Sequence, residues 1–166
     1  MRLFTLSKRI EMFDIHKEIE LLRVTRGNII KLINEFSLDQ LNKTPKGLRN
    51  NLIWNFGHAV ITQQVLCYGV SGLKMYVDDD LVKSYKKGSK PGKKVKQEEF
   101  DVIMELAQST IVDLEKDYND ELFQDFSFYT TSYGLTLTSI EDTIRFNNLH
   151  EAMHLGACKV ISKLLF

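Results

Sequence analysis

Leu149-His150-Glu151-Ala152-Met153-His154-Leu155-Gly156, inside the apolar-periodic run Ile140 to Leu165, decides how this chain is read. Residues four apart on a helix lie one above the other, so His150 and His154 aim two imidazoles the same way. Extending the row through them gives Ile140, Ile144, Asn147, His150, His154, Cys158 and Ile161. These recur at steps of three and four, the spacing of a core-facing stripe. The two histidines therefore take positions where leucines ordinarily pack.

Three chemistries fit that run. HEAMH matches the H-E-x-x-H helix of zinc proteases. Glu151-x-x-His154 matches one half of a di-iron carboxylate bundle. The third option is a three-histidine site completed from elsewhere in the chain.

Working back from this helix, Thr138-Ser139-Ile140-Glu141 reads as a capping box, with the Thr138 hydroxyl on the Glu141 amide. A first helix is expected over 8–36, with Met12, Ile15, Ile19, Leu22, Ile29, Ile33 and Phe36 at helical spacing. Arg26 is the one interruption of that stripe, and His16 lies beside it as a surface histidine. The segment 37–50 is a turn-rich connector. A second helix runs from about Asn51 to Tyr68, capped by Asn50 or Asn51, with Trp54, His58, Ile61, Val65 and Tyr68 facing inward. A third spans about Gln97 to Tyr118, with Phe100, Ile103, Ala107, Thr110, Leu114 and Asp117 as its inward row. The long crossover 69–96 is either a solvated loop or a lid over the bundle mouth. The second long connector carries Phe123, Phe126, Phe128, Tyr129 and Tyr133, which either pack across a bundle end or wall a pocket. Four long amphipathic helices and two long connections make an all-α four-helix bundle, one domain over 1–166.

Composition narrows the function. The chain is 43% hydrophobic and 27% charged with a formal net charge of zero, so nucleic acid gains no electrostatic support as a partner. The one dense basic run, Lys83 to Lys96, is local. No apolar run reaches the ~18 residues of a membrane span. Cys67 and Cys158 read as buried free thiols. A cytoplasmic protein, with no nucleic-acid or membrane partner, is expected.

The protease reading lacks its third ligand: Leu155 to Phe166 contain no His, Asp or Glu. The di-iron reading lacks a second Glu-x-x-His, because Phe13 precedes His16 and Asn55 precedes His58 by three. A lone histidine at position 58 would ordinarily be a hydrogen-bonded core residue. Two more on a second core row change that reading. His58, His150 and His154 then form a three-imidazole site suited to zinc, nickel or ferrous iron, with at least one coordination position open.

Trp54-x-x-x-His58 on the second helix and His150-x-x-x-His154-x-Gly156 on the last resemble the DinB-like (DinB/YfiT) superfamily, and the likeness covers nearly the whole chain. The resemblance implies a divalent metal on a histidine triad that maps onto His58, His150 and His154. It also implies frequent homodimers and, in members with known activity, transferases or an isomerase using low-molecular-weight thiols. A small-molecule substrate follows from that activity. Glu151 and Asn147 are the candidate catalytic residues. Glu151, one residue off the histidine row, is either a solvated carboxylate or faces the site's surroundings or a dimer partner. Asn147 is either a polar group at the site or a satisfied core amide. Gly156 is expected where a neighbouring helix or loop passes close. A metal-dependent thiol S-transferase, a non-catalytic bundle and a metal-hydroxide hydrolase using Glu151 as base are the three functional expectations.

Overall fold

The computed structural model describes residues 13–165. Helix α1 spans Ile15–Ile33, where Asp14 caps the chain by accepting from the amides of His16 and Lys17. The expected start at residue 8 lies outside the described residues. Its expected end at Phe36 is corrected to Ile33. There Ser37 and Gln40 form a capping box that starts the short helix α2, Leu38–Leu41. Helix α3, Leu52–Gln64, is capped by Asn51, whose side chain accepts from the Trp54 amide at 2.9 Å. It continues as a π-helical turn over Val65–Gly69, an irregularity that periodicity alone does not reveal. Helix α5 spans Gln97–Asn119 and α6 spans Ile140–Leu165.

Helices α1, α3, α5 and α6 form the bundle: α1 packs on α5 and α6, and α3 packs on all three others. The bundle is the four-helix arrangement read from sequence. Helix α3 is buried almost all round, because the first crossover covers the side the other helices leave open. That crossover carries helix α4, Asp79–Tyr85, capped by Asp78. Val77, Tyr85 and Val95 pack into the core, so the segment is not a solvated loop. Asn42 ties it to the α2 connector, donating to the Val95 carbonyl at 3.0 Å and accepting from the Val95 amide at 2.8 Å.

The second connector holds a small antiparallel hairpin, β1 (Tyr129–Thr130) with β2 (Thr136–Leu137). Its aromatics divide between the two expected roles and solvent. Phe126 and Tyr129 pack with Leu66, Leu137 and Phe146, and Phe123 meets Tyr68. Phe128 and Tyr133 are exposed. The cap of α6 is one residue later than the sequence suggests. Ser139 accepts from the Asp142 amide, and the Asp142 carboxylate reaches back to the Thr138 amide and hydroxyl. Aspartate, one carbon shorter than Glu141, supplies the return contact.

Besides the small cluster under the hairpin, two larger apolar clusters fill the interior among the described residues. One gathers Ile29, Ile33, Ile53, Ile61, Ile103 and Cys158; the other gathers Ile19, Leu22, Tyr68, Leu114, Ile140 and Ile144. On every bundle helix, buried polar residues fall between the two sets: Arg26 on α1, Gln63 on α3, Thr110 on α5, Asn147 and Glu151 on α6. Arg26, the apparent interruption of the first stripe, pairs with Glu151 through Nε and Nη2, and its Nη1 donates to the Ala107 carbonyl at 3.1 Å. Gln63 donates to the Thr110 carbonyl at 3.0 Å. The expectation of a solvated Glu151 is therefore corrected: it is fully buried and ion-paired.

Removing one partner of a buried ion pair strands the other charge, at about 3–5 kcal/mol, whereas an apolar pair of similar volume is often neutral. Arg26→Ala should lose stability on that scale in urea unfolding. Arg26→Met with Glu151→Leu should recover most of it. Equal losses in both proteins would mean that the pair is not what holds the waist.

Candidate metal centre

His58 comes from the middle of α3, and His150 and His154 from successive turns of α6. The three side chains each offer a ligating nitrogen, and these lie within 4.8 Å of one another. Ring centroids are 5.1 Å apart for His58 and His150, 4.7 Å for His58 and His154, and 4.5 Å for His150 and His154. The structure thus brings together all three histidines singled out in the sequence. His16 stays apart, exposed on α1 and 3.2 Å from Glu115.

Two of the rings are held by groups that fix their tautomer. A carbonyl only accepts, so His58 Nδ1 donates to the Tyr85 carbonyl at 2.5 Å, and its Nε2 keeps a lone pair. Asn55 Nδ2 donates to the Asn51 carbonyl at 2.7 Å, which turns Asn55 Oδ1 toward His154. His154 Nδ1 donates to that oxygen at 2.9 Å, leaving its own Nε2 as the acceptor. Hydrogen bonds of this kind orient metal-ligating imidazoles and raise their basicity. His150 Nδ1 is buried with no hydrogen-bond partner among the described residues. A neutral three-imidazole donor set with one such nitrogen fits a divalent cation. The Thr62 hydroxyl lies 3.3 Å from His58 Nε2, one turn along α3.

Burial sets the charge state. It pushes the imidazoles of His58, His150 and His154 below the ordinary histidine range, His150 to about 4 and His154 to about 3. Their mutual repulsion and the nearby Arg26 guanidinium act in the same direction on His150. All three rings are neutral at neutral pH, the form that ligates. Both cysteines are buried free thiols, as expected, and burial pushes Cys158 up to about 12 and Cys67 higher still.

The supporting contacts escape sequence reading. The Tyr85 contact is through a main-chain carbonyl. Asn55 belongs to the apolar surroundings of α3, and its amide on that face was the available signal. Trp54 stacks on His58, centroids 4.6 Å apart and planes 10° from parallel. Gly57 gave a further signal: a Cβ there would stand 2.5 Å from the Tyr85 ring, so the glycine lets α4 close onto α3 beside His58. Gly156 has no such neighbour, since its Cβ would meet nothing within 4 Å; the expected close approach is corrected. Asn147 is fully buried, and neither of its side-chain polar atoms has a partner among the described residues, so the satisfied amide that was one alternative is not seen there.

A cavity of about 220 Å³ opens against the three histidines, walled by Val65, Leu66, Phe146 and Met153. Crossover residues Lys86 and Lys87 and hairpin residues Tyr129, Thr131 and Ser132 complete its rim. Both long connectors therefore reach the site. Neither Glu151 nor Asn147 lines this cavity. A roomier cleft of about 620 Å³ lies beside Tyr68, Tyr76 and Asp117, but it holds no cluster of metal-ligating groups among the described residues.

A family model described as the DinB superfamily matches residues 21–158, and so takes in all three histidines together with Arg26 and Glu151. The chain belongs to the DinB superfamily. A search of curated proteins gave no match. Helical architecture, connector placement and a histidine cluster able to hold a metal ion agree with membership of the DinB superfamily. No helix among its described residues is long and apolar enough to cross a membrane.

Two outcomes follow. The unfolded chain binds protons near pH 6.5, while folded His150 and His154 bind them only near 4 and 3. Their contribution to stability is complete above pH ~6.5 and is lost as pH falls toward those values. Melting of the metal-free protein should fall with pH over that window, and His150→Gln should flatten the slope. Gly57→Ala should destabilise by about 1–3 kcal/mol, as overpacking does, because the Tyr85 ring must move. Denaturant midpoints check this, and an unchanged midpoint would show that α4 yields freely.

Proposed function

We propose that this chain holds a divalent metal ion, zinc or nickel, at His58, His150 and His154, and that it transfers a low-molecular-weight thiol to a small electrophile. The convergence of three neutral imidazoles on one cavity carries this reading. When bound, the metal would supply a Lewis acid that holds a sulfur as thiolate at an open position. Tyr85 and Asn55 would keep two of the imidazoles aimed at it. The apolar wall formed by Val65, Leu66, Phe146 and Met153 would exclude water from the reacting sulfur. Cys67 and Cys158 are too deeply buried, and too firmly protonated, to serve as the nucleophile, so the thiol comes from a bound molecule.

The hydrolase reading loses its base, because both carboxylate oxygens of Glu151 accept from Arg26. A non-catalytic bundle remains the competing reading, and chelator separates the two. A metal that binds only the folded state raises the melting temperature. The same reading takes the protein as a cytoplasmic homodimer. The exposed α6 side chains Leu149, Val160 and Leu164 offer an apolar face for the second copy. Light scattering should then return about twice 19.2 kDa.

Trp54, the chain's one tryptophan, reports on the centre through its stacking on His58. Nickel added to chelated protein should quench its fluorescence at one equivalent, and His58→Ala should abolish both quenching and metal retention. Full occupancy in that variant would overturn the triad. A panel of thiols with a chromogenic electrophile should give metal-dependent turnover; none across the panel would overturn the transferase.

A further inference from the structure

The rim of the histidine cavity is electrically one-sided. Lys86 and Lys87 line it from the crossover, and no Asp or Glu among the described residues does. Both lysines are exposed, and neither has an ion-pair partner among the described residues. They differ in this from Lys83 and Lys94, which pair with Asp80 and Asp39. The two belong to the run Lys83 to Lys96, which carries seven lysines and no carboxylate in a chain whose formal net charge is zero. The positive charge is thus concentrated on the segment that covers the site. Low-dielectric walls beside such a rim focus its field into the cavity.

The backbone that leads into the lysines is anchored. Tyr85, immediately before them, is anchored three ways: its ring lies over Gly57, its hydroxyl donates to Glu99 at 2.6 Å, and its carbonyl accepts from His58. The chain leaving Tyr85 therefore starts from an atom bonded to a candidate ligand. The histidines and the two lysines line one cavity, so a molecule with one donor on the histidine cluster shares that cavity with the lysines. The hydroxyl-bearing hairpin residues Tyr129, Thr131 and Ser132 line the cavity with the lysines.

We infer that the cavity selects an acidic small molecule, one whose carboxylate meets Lys86 and Lys87 while its sulfur occupies the histidine centre. This rests on the metal reading above and adds the charge of the ligand and the residues that choose it. The lysines are specificity residues that touch the ligand's far end, and they take no part in holding the metal.

The test uses full-length protein loaded with cobalt(II), whose thiolate charge-transfer absorption reports sulfur binding directly. N-acetylcysteine and its uncharged amide are the probe pair. They share a sulfur and differ in one carboxylate. The acid should bind about tenfold more tightly at low salt, the scale of two solvent-exposed charge contacts, and the preference should shrink as salt is raised. Lys86→Gln with Lys87→Gln should abolish the preference at unchanged cobalt stoichiometry, and Lys87→Glu should favour the amide. Equal binding of the two probes, a preference that survives in the double variant, or no binding of either would overturn the inference. Failure to take up cobalt would instead overturn the metal reading, and this inference with it.

Discussion

A guanidinium and a carboxylate with no access to water govern how this bundle assembles. Arg26 and Glu151 are 1% and 0% exposed, and each is tolerable there only in the presence of the other. Any sliding or rotation of α1 against α6 separates them in a low-dielectric interior. The apolar clusters on either side would accept many registers at similar free energy, whereas the pair accepts one. Its relevance to the histidine cluster is geometric. Glu151 lies between His150 and His154 in sequence and projects to a different side of α6. Directing Glu151 at α1 sets the rotation of α6 that turns the two imidazoles toward α3.

The remaining freedom belongs to the rings, and it is removed from the other direction. Asn51 both caps α3 and, through its carbonyl, orients Asn55, which in turn holds His154. One short stretch of α3 therefore starts the helix, supplies His58 and aims a histidine of a different helix. Tyr85 plays the corresponding part for His58 from α4. The centre is assembled from the bundle and its crossover together, and Val77, Tyr85 and Val95 pin that crossover to the core while its glycines and lysines face outward.

The features legible in the sequence were those governed by helical period. The four long helices and the inward rows that carry His58, His150 and His154 follow from spacings of three and four, whereas the convergence of those rows was an expectation supported by the family resemblance. What stayed hidden depended on a partner distant in the chain. Arg26 looked like a fault in a stripe and Glu151 like a surface carboxylate, because each makes sense only opposite the other, 125 positions away. The Tyr85 carbonyl has no side-chain signature at all. Gly57 and Gly156 illustrate the same limit. Both are helical glycines beside a histidine of the cluster, and only the neighbour of each distinguishes the one that admits an aromatic ring from the one that faces open space. The cap of α6 slipped by one residue because Glu141 and Asp142 are both acidic, and the Glu141 carboxylate accepts from the distant Tyr118 hydroxyl while Asp142 takes the contacts to Thr138.

The interior also leaves part of its polar capacity unused, and where it does so is informative. Among the described residues, His150 Nδ1, both polar atoms of Asn147, Gln63 Oε1, Gln64 Nε2, Asn148 Oδ1 and Ser71 Oγ are buried without partners. An unmet buried group of this kind costs about 1–3 kcal/mol. Evenly scattered, such groups would suggest a poorly matched core. All but Ser71 instead fall on α3 and α6, within two turns of a histidine of the cluster. Three buried neutral imidazoles aimed at a common point, one of them with an unmet nitrogen, mark a place where capture of a cation would lower the free energy of the folded state. Ion-binding free energy adds to the native state alone. The polar waist and the histidine cluster are in this sense a single construction: the ion pair holds the helices in the one register at which the ligand nitrogens converge.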